Sequence, residues 1–278
     1  MAVDEQSILL EKMDQIGYIT FNRPEKLNAI RPQDYILLDD LVNDCEKDDN
    51  IRVVILTGKG KAFSVGDDIE GWPGGEDDDF IKDDPLYGFI HDGKFLEAQI
   101  SGHRIPLQKT CETLMNSGKV SIAAVNGICW APEILYAADF VIAADVATFG
   151  QGDVRGGICP GGASTQILPR LLGRRRAIEL IILCEEMPAQ EAYRIGLVNK
   201  VVPLSQLMPE TEALAKKVMS HPLSAIKLAK TAITKAQELP LKEGLEIEQW
   251  YCSISMQSEA FQNFAQKFKN KKKAKGKR

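Results

Sequence analysis

The chain has 278 residues, 44% hydrophobic and 26% charged, which is enough apolar surface for one large core and excludes a disordered body. Its formal net charge of −5 conceals an asymmetry, because residues 267–278 hold eight basic side chains and no acid, the usual look of a solvated tail. Six cysteines without CxxC spacing and three scattered histidines argue against a disulfide framework and a histidine-based metal site, no apolar run reaches the roughly 18 residues of a membrane span, and the start MAVDEQSILL lacks a secretory pattern, so reduced thiols in the cytoplasm are expected.

Residues 8–11 and 16–21 read as short strands around a turn at residues 13–15, and Asn22-Arg23-Pro24 ends the second, since proline has no N–H for the ladder. Pro32-Gln33-Asp34 opens a helix on which Tyr35, Leu38, Leu41, Val42 and Cys45 recur at helical spacing; residues 46–50 end it. Residues 53–56 form a fully apolar strand stopped by Thr57-Gly58-Lys59-Gly60, the pattern of a buried strand leading into a functional loop. A long segment, residues 71–117, holds Trp72-Pro73-Gly74-Gly75, an acidic patch (residues 76–79 and 83–84) and an amphipathic helix around residues 107–115.

A buried strand (residues 120–125) then runs through Asn126-Gly127 and an apolar turn into a short helix, residues 132–138, with Glu133 at its start. A second apolar strand, residues 140–144, leads through Phe149-Gly150-Gln151-Gly152 to Asp153 and a glycine-rich stretch, residues 156–162. An isolated carboxylate near a helix start is usually a cap. Two of them, each beside more glycine than turn-making needs, form the pair that general acid/base work on a carbon acid or an alkene requires. Downstream, residues 164–172 and 175–183 read as helices flanking Gly173, residues 188–194 as a third starting on proline, residues 197–202 as the last strand, and residues 204–268 as helical by period.

Four stretches in order carry a resemblance: residues 21–29 (FNRPEKLNA), residues 61–69 (KAFSVGDDI), the segment with Asn126-Gly127, Glu133, Asp139, Phe149-Gly150-Gln151, Pro160-Gly161-Gly162 and Gln166, and residues 196–203 (GLVNKVVP). The chain resembles the crotonase (enoyl-CoA hydratase/isomerase) superfamily over nearly its whole length. The resemblance implies an α/β fold, a crotonase-type spiral of ββα turns with two nearly perpendicular sheets, followed by a C-terminal helical trimerisation section. It divides the chain into an α/β core with the acyl-CoA site (residues 1–203), a helical section (204–268) and a basic tail (269–278).

The resemblance also implies roles. Glu133 and Asp153 are the catalytic pair. Backbone N–H groups of Asp67 and of Trp130 or Ala131 form an oxyanion hole for the thioester oxygen, since Pro132 has no N–H to give. Coenzyme A is met by Lys61, Ala62, Phe63, Val65, Asp68 and Ile69, and from the C-terminal section by Phe264 and Lys267. Trp72, Phe89, Trp130, Gly156 and Gly157 border the acyl pocket. No metal and no cofactor beyond the CoA moiety of the substrate are implied, and homotrimers or homohexamers are expected.

Two departures bear on the reaction. The interval between Asn126-Gly127 and Glu133 has no glycine run, and Asp153 stands where ordinary hydratases have glutamate, withdrawing the carboxyl by one methylene, about 1.5 Å. The expected activity is hydration of an enoyl- or cyclic dienoyl-CoA. Ring opening of a cyclic β-keto acyl-CoA and enoyl-CoA isomerisation are the alternatives. RNA binding through the basic tail is the non-enzymatic one, and the acidic body with no aromatic interleaving after Phe268 weighs against it.

Overall fold

The computed structural model describes residues 6–68, 106–130 and 132–275. The expectations placed on Ile69, Trp72, Phe89, Ala131 and the acidic patch lie outside them.

β1 (Ile8–Met13) and β2 (Ile16–Phe21) pair in antiparallel register from Ile8 opposite Phe21 to Met13 opposite Ile16. The turn is therefore only Asp14-Gln15, shorter than expected. Both residues take positive φ (51° and 67°), the handedness that suits a two-residue hairpin between right-twisted strands. A single 3-10 turn, Pro24–Lys26, follows β2 and ends in two left-handed residues, Leu27 and Asn28. α1 (Pro32–Lys47) starts on the expected proline and closes a capping box between Arg31 and Asp34. It lies so close to β2 that a side chain at Gly17 would sit 2.5 Å from Cys45 Sγ.

β3 (Val53–Gly58) is parallel to β2, and its first four residues are fully buried, as the unbroken apolar run predicts. β4 (Ala62–Ser64) begins the second sheet. α2 (Pro106–Asn116) packs against α1. β5 (Val120–Val125), buried at every position, β6 (Ile128–Cys129), α3 (Pro132–Ala137), β7 (Phe140–Ala144) and β8 (Thr148–Phe149) come next. α4 (Ser164–Leu172) and α5 (Arg174–Leu183) flank Gly173, whose φ of 80° makes the break between them. β9 (Met187–Pro188), α6 (Ala189–Arg194) and β10 (Lys200–Val202) complete the mixed part. The last strand is shorter than residues 197–202: the N–H groups of Leu197 and Val198 both return to the Ala192 carbonyl to close α6, so the strand forms only after them.

The main sheet has the order β1-β2-β3-β5-β7-β10, parallel except for β1, and the second has the order β4-β6-β8-β9. Each buried strand of the first sheet feeds a short strand of the second: β3 into β4, β5 into β6, β7 into β8. This alternation is the spiral of the crotonase fold. It brings the three chain crossings between the sheets side by side, and the candidate site is built on them. α7 (Leu207–Met219) covers β3, β5 and β7. α8 (Leu223–Lys235), α9 (Leu241–Met256) and α10 (Glu259–Lys275) form the helical C-terminal section. Among the described residues no helix is long and apolar enough to cross a membrane.

Candidate active site

The first crossing carries the loop between β3 and β4, and two asparagines hold it. Asn28 Nδ2 donates to the carbonyls of Lys59 (3.0 Å) and Ala62 (2.8 Å), while its Oδ1 accepts the Arg23 N–H (2.9 Å). Asn126 Nδ2 donates to Gly60 and Ala62 (3.0 and 3.1 Å), and its Oδ1 accepts the Gly58 N–H (3.2 Å). Gly127 follows because the loop leaves no room: a Cβ there would meet the Lys61 carbonyl oxygen at 2.0 Å.

Beyond β4 the chain turns at Gly66, with φ of 92° and the Trp130 carbonyl 3.0 Å from where a Cβ would be. Ile30 then brackets Asp67. The Ile30 N–H donates to the Gly66 carbonyl (2.8 Å), and the Asp68 N–H donates to the Ile30 carbonyl (2.9 Å). In such a parallel bridge the N–H of the middle residue points to the opposite side. Accordingly the Asp67 N–H meets no acceptor among the described residues. The Asp68 carboxylate is tied to Arg23 at 2.7 Å, and the Tyr35 hydroxyl donates to Asp67 Oδ1 at 2.6 Å. Surrounding protein pushes the Asp67 carboxyl up even though the residue keeps an exposed edge, the Tyr35 hydrogen bond opposes that, and the charge of Asp153 adds to it.

Glu133, the second residue of α3, is buried at 6% exposure. Its Oε1 accepts from Ser164 Oγ (2.8 Å) and from Gln151 Nε2 (2.9 Å). Gln151 Nε2 also donates to Ser164 Oγ (2.7 Å), so three side chains from α3, the stretch after β8 and α4 close a triangle. Gly162 has no side chain for the same reason, since a Cβ would lie 2.8 Å from Glu133 Cγ. Burial pushes the Glu133 carboxyl up to about 7; the Ser164 hydroxyl and its own backbone amide hold it down, while Asp153 and Asp67 add to the rise. A carboxyl balanced near neutrality can both give and take a proton at little cost.

Asp153 is half-buried on a tight turn, with the Ile158 N–H donating to its carbonyl at 2.9 Å. It does not open a helix, as the sequence reading supposes, because α4 begins only at Ser164. Gly156 and Gly157, the latter at φ of 79°, shape this exposed turn. Trp130 packs beneath it. A Cβ at Gly150 would lie 2.6 Å from the indole and one at Gly152 3.3 Å, and the Arg155 guanidinium sits 5.8 Å from the ring centroid. The Trp130 N–H donates to the Ser64 carbonyl at 2.7 Å. It is thereby removed as an oxyanion donor, which corrects one of the two candidates named for that role.

The remaining sequence candidates spread more widely. Ala62 and Phe63 are fully buried, and Phe63 packs edge-on against Phe21 at 5.3 Å, so at these two positions only the backbone is left to meet CoA. Lys61 and Lys267 are exposed, Val65 is half-buried, and Phe264 is 64% exposed on α10. Sequence reasoning missed Ser164, Gln151 as a partner of Glu133, and the Tyr35–Asp67 pair. Among the described residues no cluster of His, Cys, Asp or Glu is arranged to hold a metal ion.

The description "Enoyl-CoA hydratase/isomerase" belongs to the family model that matches residues 11–277, and the chain is a member of that family, an enzyme of the crotonase superfamily. A crotonyl-CoA hydratase of Syntrophomonas wolfei is 33% identical over 246 residues, 87% of each chain. A short-chain-enoyl-CoA hydratase of Clostridium acetobutylicum is 35% identical over 245 residues, 87% of this chain and 86% of the other. Among solved structures, enoyl-CoA hydratase subunit I from Geobacillus kaustophilus superposes with a TM-score of 0.81 at 31% identity, covering 96% of both chains.

Proposed function

We propose that the protein adds water to the double bond of an enoyl-CoA thioester. The observation that carries this is the buried Glu133 carboxyl, pushed up to about 7 by burial, with the charge of a second carboxylate, Asp153, adding to the rise. The thioester oxygen would accept the Asp67 N–H and, with Trp130 committed to Ser64, the N–H of Ala131. Each such donor contributes roughly 2.7–4 kcal/mol to stabilising the negative charge that builds there. With the enolate held, the ionised member of the pair takes a proton from water as the water oxygen bonds to the β-carbon, the other member, entering as the neutral acid, gives its proton to the α-carbon, and proton exchange with solvent resets the pair. The hydratase names of the relatives at about a third identity support this reading. Only the CoA moiety of the substrate is required, with Lys61 and Lys267 meeting its phosphates.

The acyl group, on this reading, is wider than a short straight chain. Asp153 leaves the space of one methylene, and Trp130, flattened against Gly150 and Gly152, offers an apolar wall beside it. A cyclic dienoyl group fits that shape. The experiment is a mass-spectrometric panel of crotonyl-, cyclic dienoyl- and cyclic β-keto-CoA esters. Gain of one water with the thioester and no new carboxylate supports hydration; gain of water with a second carboxylate supports ring opening; conversion without mass change supports isomerisation.

A homotrimer or a homohexamer is part of the same proposal. Trp250 (69% exposed), Ile254 and Phe261 on α9 and α10 give the C-terminal section an apolar surface that a second copy would cover.

A further inference from the structure

The triangle around Glu133 is asymmetric. Both side-chain donors converge on Oε1, and among the described residues no side chain donates to Oε2. A carboxylate oxygen has two in-plane lone pairs, and here both of those on Oε1 are taken. The second hydrogen of Gln151 Nε2 goes to Ser164 Oγ at 2.7 Å, so the hydroxyl is left with one orientation for its own proton, toward Oε1. Ser164 is completely buried, and it follows Ala163, a non-glycine residue at φ of 81°. The chain accepts that unfavourable conformation at the entry of α4 and thereby brings the hydroxyl to Glu133. Gln151 Oε1, meanwhile, is buried without a donor among the described residues, so the amide is oriented by what its nitrogen gives to Glu133 and Ser164.

We propose that Ser164 is a positioning residue that, locked by Gln151, occupies Glu133 Oε1 and leaves Oε2 as the oxygen that exchanges the proton with water and substrate. The inference rests on Glu133 being the acid/base of the proposed hydration. When Oε2 takes a proton from water, the water oxygen bonds the acyl chain and the carboxylate becomes a neutral carboxyl; the reverse reaction returns the same proton from the same oxygen. The hydroxyl also favours the ionised form of Glu133, in keeping with its opposing the effect of burial.

The test uses the full-length chain with the best thioester from the panel, and compares wild type, Ser164→Ala, Ser164→Cys and Glu133→Gln by pH–kcat profile and by carbon-13 titration of glutamate carboxyls, Glu133→Gln assigning the signal. In Ser164→Ala the Glu133 midpoint and the acid limb of kcat should both move up by about half a unit to one unit, and kcat on the plateau should fall about tenfold through lost orientation. Ser164→Cys, which keeps a weak donor, should lie between. A Ser164→Ala protein that folds with unmoved midpoint and limb overturns the inference, as does an equal loss at every pH without a shift, the mark of a merely structural serine. Should Ser164→Ala not fold, Ser164→Cys with an unmoved midpoint overturns it equally. Full activity of Glu133→Gln would instead remove the hydration reading beneath it, which keeps the two failures distinguishable.

Discussion

Glu133 is held in a conflict that stability measurements can read. Its carboxyl is raised in the fold from an ordinary value of 4.5 to about 7, so the native state binds more protons than the unfolded chain between those values, and stability falls as pH rises from 4.5 through 7. With each pKa unit worth 1.36 kcal/mol, the loss amounts to about 3 kcal/mol above pH 7. Glu133→Gln should therefore flatten the stability profile over that window and raise stability at pH 8 by about 1–3 kcal/mol, read by urea unfolding at several pH values. The same variant should lower turnover by at least about 10²-fold, since a positioned acid/base contributes 10²–10⁴. A stability profile as steep as that of wild type would show that Glu133 is not the group responsible. At Asp153 the prediction concerns shape. Asp153→Glu adds a methylene where the turn lies against Trp130, and it should cost a cyclic thioester about 1–3 kcal/mol in kcat/KM while leaving crotonyl-CoA hydration equal or slightly better. Unchanged kinetics on both substrates would mean that this carboxylate does not shape the acyl pocket.

At the scale of elements, the site depends on crossings between the two sheets, and Asn126 is the test of that dependence. Its side chain satisfies the Gly58 N–H and the carbonyls of Gly60 and Ala62. Asn126→Ala strands the partly buried Gly58 N–H and frees the Gly60 carbonyl, while the Ala62 carbonyl keeps Asn28; at 1–3 kcal/mol for a buried group left unpaired, the variant should lose about 1–3 kcal/mol in chemical denaturation and misplace the Asp67 N–H, raising the barrier more than KM. Wild-type stability would remove the clamp from the account. The long strands and α1 were legible because four to six apolar residues in a row, or apolar residues at helical spacing, leave few alternatives. β6, β8 and β9 were not, because two residues carry no periodicity; they form only because each lies against its neighbour in the second sheet. The end of the last strand was misread for a related reason, Leu197 and Val198 being buried whether they extend a strand or cap α6. Of the site, the two carboxylates and the glycines around them stood out in sequence by their excess. Ser164, Tyr35 and the committed Trp130 N–H did not, because a lone serine, a tyrosine on an amphipathic helix and a backbone donor are indistinguishable from ordinary packing until the crossings bring them together.

On the scale of the whole molecule, the C-terminal section leaves Ile233, Leu241, Trp250 and Ile254 more than half exposed, the kind of apolar surface that the proposed assembly would cover. A Trp250→Asp, Ile254→Asp double variant should shift the protein from trimer or hexamer toward monomer in sedimentation velocity, with activity falling in the diluted monomer if Lys267 is presented from a neighbouring copy. A wild-type protein that sediments as a monomer at high concentration would set that assembly aside. The central claim is that the Glu133–Asp153 pair adds water to an acyl-CoA double bond. It is tested most directly by incubating the panel's best substrate in heavy-oxygen water and following label in the acyl chain by mass spectrometry, wild type beside Glu133→Gln. The account predicts label at the β-carbon hydroxyl with the thioester intact for wild type and at least about 10²-fold slower labelling for the variant; unlabelled product, or equal labelling by both proteins, would contradict it.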